Sequence, residues 1–183
     1  MNWTTPILIL LAAFVAVFVE SAFGGLRHLL GAQIDLLPML MVYASLRSNL
    51  VTVVLLAVLG GLWFDTLSAN PLGITILPLF LAGFLIYLRR GLILREESYA
   101  QIVLGLGASA AVPMLTLLLL LSTRQTPLLG WGSLWQWLVM TVGGGLLTPA
   151  CFCLFDGLNR ALSYSPNIGT SFRADREIKR GRN

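Results

Sequence analysis

Four acidic side chains stand in, or at the ends of, strongly apolar segments: Glu20, Asp35, Asp65 and Asp156. A carboxylate is costly beside hydrocarbon, and where one persists it often marks a proton or ion route. The competing role is structural. Asp35, Asp65 and Asp156 each sit next to a break in the apolar pattern, where a carboxylate caps a helix or reaches the headgroup region. We expect that role for these three. Glu20 lies deeper. Arg27 follows seven residues on, two turns along one face of a helix that persists past Gly24-Gly25, so the expectation for Glu20 is a paired structural role.

Other reactive constellations are missing from the pattern. His28 is the single histidine and has no partners at metal-ligand or triad spacing. Cys151 and Cys153 point to different faces of a helix, which suits neither a disulfide nor a metal corner, and reads as small apolar packing. Ser45 and Ser68 have no evident base nearby. Gly105-Leu-Gly107 lacks both the preceding strand and the third glycine of a dinucleotide loop. The expectation is a protein that is not an enzyme, with no cofactor and no metal.

The elements that position these residues are membrane helices. Of 183 residues, 57% are hydrophobic and 11% charged, against about 25% charged in soluble domains. A soluble fold of this size could not hide so much apolar surface. Apolar segments run approximately over Pro6–Ala22, Leu36–Leu46, Leu50–Leu67, Leu72–Leu88, Tyr99–Leu121 and Leu134–Leu158. A full span takes about 17–25 residues, which five segments meet. The second is short, and either extends backward through Leu29–Ile34 or is a short or re-entrant helix packed against protein. The first basic residue is Arg27, so the leading segment reads as a retained helix rather than a cleaved signal.

Charge placement favours six crossings. With both termini in the cytoplasm, Arg47, Arg89, Arg90, Arg95, Arg160 and the basic tail (Arg173, Arg176, Lys179, Arg180, Arg182) lie inside, and only Arg27 and Arg124 outside. The tail reads as a cytoplasmic segment touching anionic headgroups rather than a nucleic-acid arm. Trp131, Trp135 and Trp137 then fall at the outer end of the last helix, as in an interfacial aromatic belt. Small residues four apart (Ala12/Ala16, Ala57/Gly61, Gly105/Ser109, Gly107/Ala111) allow close helix approach in lipid. Gly143-Gly144-Gly145 followed by Pro149 marks a helix that bends or meets a neighbour closely. The predicted fold is an all-α polytopic membrane protein, a compact bundle of six transmembrane helices over residues 1–160 with a basic cytoplasmic tail over 161–183.

The most specific run is Gly60-Gly61-Leu62-Trp63-Phe64-Asp65-Thr66-Leu67-Ser68-Ala69-Asn70-Pro71-Leu72-Gly73. An apolar helix ends there at a carboxylate, and Pro71 opens the next segment. Ile34-Asp35-Leu36-Leu37-Pro38 leading into Val42-Tyr43-Ala44-Ser45-Leu46-Arg47, and the exit Leu88-Arg89-Arg90, are two further marked places. With these three the chain resembles the rod shape-determining protein MreD family over roughly residues 10 to 160. One departure is the position of Pro38, which follows Asp35, whereas many members place the proline before that aspartate.

The resemblance implies Asp35, Arg47, Gly61, Asp65, Ser68, Pro71 and Gly73 as family-motif positions. It also implies a non-enzymatic component of the bacterial inner membrane that maintains rod shape. The expected partners are MreC, bound through its transmembrane helix, the actin-like MreB, the RodA glycosyltransferase and its penicillin-binding transpeptidase, with lipid and without nucleic acid. Arg89, Arg90 and Arg95 are the candidate cytoplasmic contacts. The family also looks like the membrane substrate-binding subunits of energy-coupling vitamin transporters. The alternative function is therefore a small-molecule-binding transporter subunit, with polar groups converging near Asp35, Asp65 and Asn70.

Overall fold

A computed structural model of the chain describes residues 4–22, 31–68, 70–91, 97–123 and 130–162. Six helices occur among the described residues: α1 (Thr4–Ala22), α2 (Leu37–Arg47), α3 (Leu50–Leu67), α4 (Ile76–Arg89), α5 (Ser98–Ser122) and α6 (Trp131–Leu162). No strand occurs among the described residues. The helices follow the apolar segments because a chain in hydrocarbon must satisfy its backbone internally.

Among the described residues, four helices are long and apolar enough to cross a membrane: Thr5–Ala22, Leu50–Leu67, Ser98–Ser122 and Trp131–Ala161. That is one fewer than the five expected from segment length. The segment expected over Leu72–Leu88 yields a helix of only 14 residues, because Pro71–Thr75 forms a turn and the helix begins at Ile76. At 1.5 Å per residue α4 is about 21 Å long, and α2, with 11 residues, about 16 Å. Both are shorter than a hydrocarbon core of about 30 Å.

The short α2 is the hub of the bundle. It packs against each of the other five helices, and every residue from Leu37 to Leu46 is buried. Ten consecutive buried residues explain why its sequence shows no amphipathic stripe, since a helix enclosed on all sides is apolar all round. Around it, α1 presents Ile9, Ala13 and Val17, spaced one turn apart, and α3 presents Val53, Leu56 and Ala57. Tyr43 of α2 packs between Phe152 and Phe155 of α6, edge-on to the first and tilted against the second, with ring centroids 5.0 and 4.9 Å away.

The most extensive helix–helix contact joins α5 to α6. A Cβ at Gly105 would collide with Thr148 and lie 3.2 Å from the Gly145 Cα, and one at Gly144 would collide with the Ser109 side chain. The small pair Gly105/Ser109 and the triple glycine are thus two halves of one close approach. Ala57 and Gly61 are also buried. Gly107 and Ala111 face outward instead, with nothing within 4 Å of a Cβ at Gly107.

Polar contacts define two ends. At one, Arg47 Nη2 donates to Asp156 Oδ2 at 2.8 Å, and the Tyr43 hydroxyl donates to Asp156 Oδ1 at 3.2 Å. Asn159 Nδ2 donates to the Tyr43 hydroxyl at 3.0 Å, and Thr5 Oγ1 donates to Asn159 Oδ1 at 3.4 Å. This chain of contacts ties the start of α1 to the ends of α2 and α6. Arg90 joins α4 to the same end, donating to the Ser48 carbonyl at 3.1 Å and lying 4.1 Å over the Tyr87 ring. The other end gathers Glu20, Asp35, Asp65 and the start of α6.

Candidate functional site

The Gly60–Gly73 run folds into a clasp around Asp65. Gly61 lies one turn before Asp65 on α3, and a Cβ there would come within 3.0 Å of the Ile76 backbone nitrogen. Its lack of a side chain lets the start of α4 rest on α3. The approach aims the Asp65 carboxylate at that start. Asp65 Oδ2 accepts from the backbone N–H of Gly73 at 2.9 Å and of Thr75 at 3.1 Å, and Oδ1 accepts from the Thr75 hydroxyl. The first N–H groups of any helix lack partners within it. Here Asp65 holds the turn ahead of those groups, up to the N-cap residue Thr75, and so fixes where α4 begins.

The other motif residues shape the loop that delivers those donors. Ser68 Oγ donates to the Asp65 carbonyl at 3.4 Å and accepts the Asn70 N–H at 3.4 Å. The Pro71 carbonyl accepts the Ile74 N–H at 3.3 Å. Gly73 has φ +88°, a left-handed conformation open to glycine at little cost. Asp65 was expected to cap a helix or to reach the headgroups. It holds the turn between α3 and α4 instead, and at 1% exposure it is enclosed by the protein.

Asp35 is likewise enclosed, at 5% exposure. It stands in the non-helical stretch that leads into α2, where Gly31 takes φ +63° and the chain does not become helical until Leu37. Backbone that leaves the helix at membrane depth needs partners from protein, and this stretch has three. Gln136 of α6 exchanges two bonds with Gln33, its Oε1 accepting the N–H at 3.1 Å and its Nε2 donating to the carbonyl at 2.9 Å. Glu20 Oε1 accepts the Leu36 N–H at 2.5 Å, and Asp35 Oδ1 accepts the Leu37 N–H at 2.9 Å. Ile34 seats on α6, 3.0 Å from where a Gly143 Cβ would stand. Glu20 is therefore engaged by backbone. Arg27, its expected partner, lies outside the described residues, as do His28, Arg95, Arg124 and the basic tail.

Gln136→Leu keeps the side-chain volume and strands both Gln33 groups. Each unsatisfied buried polar group costs about 1–3 kcal/mol. We expect a drop in the thermal midpoint of the reconstituted protein, with Gln136→Glu, which retains the acceptor, intermediate. Unfolding followed by circular dichroism in nanodiscs reads this order, and equal midpoints for wild type and Gln136→Leu would refute it.

Beside these carboxylates lies a cavity of about 190 Å³. Its polar lining is Asp35, Asn70, Thr75 and Thr116, and its apolar walls include Phe64, Val112 and Met140. Asp35 and Asn70 thus meet at one space, while Asp65 stands behind Thr75 and contributes to it only through that hydroxyl. Arg47 lies at the opposite end of the bundle, paired with Asp156. Of the expected cytoplasmic contacts, Arg89 is exposed and Arg90 is held in the fold. Cys151 and Cys153 are free thiols, one half-buried and one exposed. No three His, Cys, Asp or Glu side chains converge on a metal-sized site among the described residues.

Sequence reasoning missed Gln33, Gln136 and Thr116. The signal for Gln136 was present: an amide in the first turns of an apolar helix is costly without a partner. Thr116 left none, because a threonine in an apolar helix ordinarily bonds its own backbone, as this one does to the Val112 carbonyl at 2.9 Å.

No family model matches the chain, and neither the curated proteins nor the solved structures include a match to it.

Proposed function

We propose that this chain is a non-enzymatic membrane scaffold of the MreD type, with six crossings and both termini in the cytoplasm. In this reading it holds the transmembrane helix of MreC within the bacterial cell-elongation complex, in the inner membrane. MreB, RodA and its penicillin-binding transpeptidase lie within reach of the same assembly. The observation that carries the reading is the clasp. Both Asp65 oxygens accept donors from the chain's own Gly73 and Thr75, so the carboxylate of the most specific run is engaged in building the fold. The alternation of the two ends supports six crossings. The starts of α1, α3 and α5 and the ends of α2, α4 and α6 share the Arg47 end, which carries Arg47, Arg89, Arg90 and Arg160.

A partner helix needs an open apolar face, and α1 offers one. It packs only on α2 and α3 among the major contacts and leaves Ile7, Leu11, Phe14 and Phe18 more than half exposed. At the basic end, Arg89 and Arg90 separate in role. Arg89→Glu should reduce recovery of the elongation partners several-fold at unchanged protein level. Arg90→Glu should lower the level itself, because Arg90 holds the α2–α3 turn. Quantitative immunoblotting of membranes and of affinity eluates distinguishes the two, and unchanged recovery with Arg89→Glu would remove that residue from the contact. The transporter-subunit reading is favoured by one observation, the cavity beside Asp35.

A further inference from the structure

The polar atoms of the Asp35 cavity are almost all acceptors. Thr116 gives its hydroxyl proton to the Val112 carbonyl and Thr75 gives its own to Asp65, so both present lone pairs to the space. Asp35 uses Oδ1 for the Leu37 N–H, and no donor among the described residues reaches Oδ2. The Asn70 amide oxygen is a fourth acceptor, its side chain making no hydrogen bond among the described residues. Only the Asn70 amide nitrogen can donate. A space so lined attracts a ligand that donates and carries positive charge.

A second carboxyl strengthens the preference. Glu20 lies close enough to Asp35 for the two to interact electrostatically, and its Oε2 is buried with no partner. The orphaned oxygen is one more unmet acceptor beside Asp35, set back from the cavity lining itself.

The remaining walls select the kind of cation. Phe64 offers an aromatic ring, and Val112, Pro113, Leu117 and Met140 are apolar. Pro113, Leu117 and Met140 also line a second, larger space of about 870 Å³ between the outer parts of α5 and α6. The two spaces meet at these residues. A bare metal ion would meet few ligands here, whereas an alkyl chain entering from the α5–α6 groove would be matched along its length.

We propose that the cavity binds a protonated primary amine, its ammonium group at Asp35, Asn70, Thr75 and Thr116 and its apolar substituent in the groove between α5 and α6. The amine comes either from a free alkylamine or from the headgroup of an aminophospholipid. The site does not depend on the scaffold reading, and binding would leave recovery of MreC an independent question.

The test uses the full chain in nanodiscs of phosphatidylcholine, with thermal unfolding followed against hexylamine, hexanol or hexanoate. Hexylamine is expected to raise the midpoint saturably, and hexanol and hexanoate are not. Thr116→Val, which removes an acceptor without touching a tertiary bond, should weaken hexylamine at least several-fold, and Asp35→Asn should abolish its effect. In a parallel arm, nanodiscs containing phosphatidylethanolamine distinguish the sources. A raised midpoint there, with hexylamine now without further effect, assigns the site to the lipid headgroup. Hexylamine equally active in both kinds of disc, with no effect of phosphatidylethanolamine itself, assigns it to a free amine. Equal shifts with hexanol and hexylamine, an undiminished hexylamine shift in Thr116→Val, or no saturable shift in either lipid would overturn the proposal.

Discussion

Asp65→Ala is expected to prevent accumulation of folded protein. The substitution strands two backbone N–H groups and a hydroxyl at a site with 1% exposure. Hydrogen bonds to a charged group contribute about 1.5–3 kcal/mol each. Side-chain bonds within membrane bundles average nearer about 0.6 kcal/mol, because a chain left in lipid finds other partners. The larger figure governs here. The donors are backbone N–H groups of Gly73 and Thr75 in the enclosed turn ahead of α4, and each would be left without its Asp65 acceptor. A loss of about 3 kcal/mol or more is a large share of a marginal stability. Asp65→Asn keeps one good acceptor and should be intermediate. Thr75→Val removes one hydroxyl and leaves both backbone bonds, so it should cost least. Fluorescence-detected size exclusion of detergent extracts gives the order directly. A monodisperse Asp65→Ala peak at wild-type height would refute the clasp.

Gly144→Ala is expected to force α5 and α6 apart, although alanine is the better helix former by about 1 kcal/mol. The added Cβ would lie 2.6 Å from the Ser109 Cβ, an atom fixed to the α5 backbone. Overpacking of this kind costs about 1–3 kcal/mol, more than the propensity gain. Two companions separate clash from propensity. Gly107→Ala on α5 meets nothing within 4 Å, so it should be neutral or stabilising by up to about 1 kcal/mol. Ser109→Gly in the Gly144→Ala background transfers the bulk from one helix to the other and should restore most of the loss. Thermal midpoints of the four proteins in one lipid decide the matter. Destabilisation by Gly107→Ala equal to that by Gly144→Ala, or failure of Ser109→Gly to rescue, would show that the contact is not as close as described.

These two cases also mark where the sequence was informative. The helix order, the breaks at Arg47-Ser48-Asn49 and Ser68–Pro71, and the close-packing role of the triple glycine follow from hydropathy, turn chemistry and small-residue spacing, all local properties. The shortness of α2 was legible too, since eleven apolar residues cannot span a bilayer alone. Its position at the centre was not, because a short buried helix and a re-entrant one carry the same pattern. The start of α4 was placed too early for a related reason. Leu72 and Ile74 extend the apolar run, and only the long-range bonds from Asp65 to Gly73 and Thr75 show that this stretch is a turn. The acids at Asp35 and Asp65 stood beside breaks, as boundary residues do. The fold closes over those breaks, and so both carboxylates end up inside. The cavity depends on Asp35, the Asn70–Thr75 turn and Thr116 meeting from three parts of the chain, which no spacing rule foretells.

The role we propose for this bundle is to hold a partner's transmembrane helix. Affinity purification of the full-length protein from its native membranes in mild detergent, with mass spectrometry of the eluate, tests it most directly. MreC is expected as the dominant co-purifying chain, retained with Asp35→Asn and diminished with Arg89→Glu. Absence of MreC across several mild detergents, or the appearance of transporter ATPase subunits in its place, would contradict it.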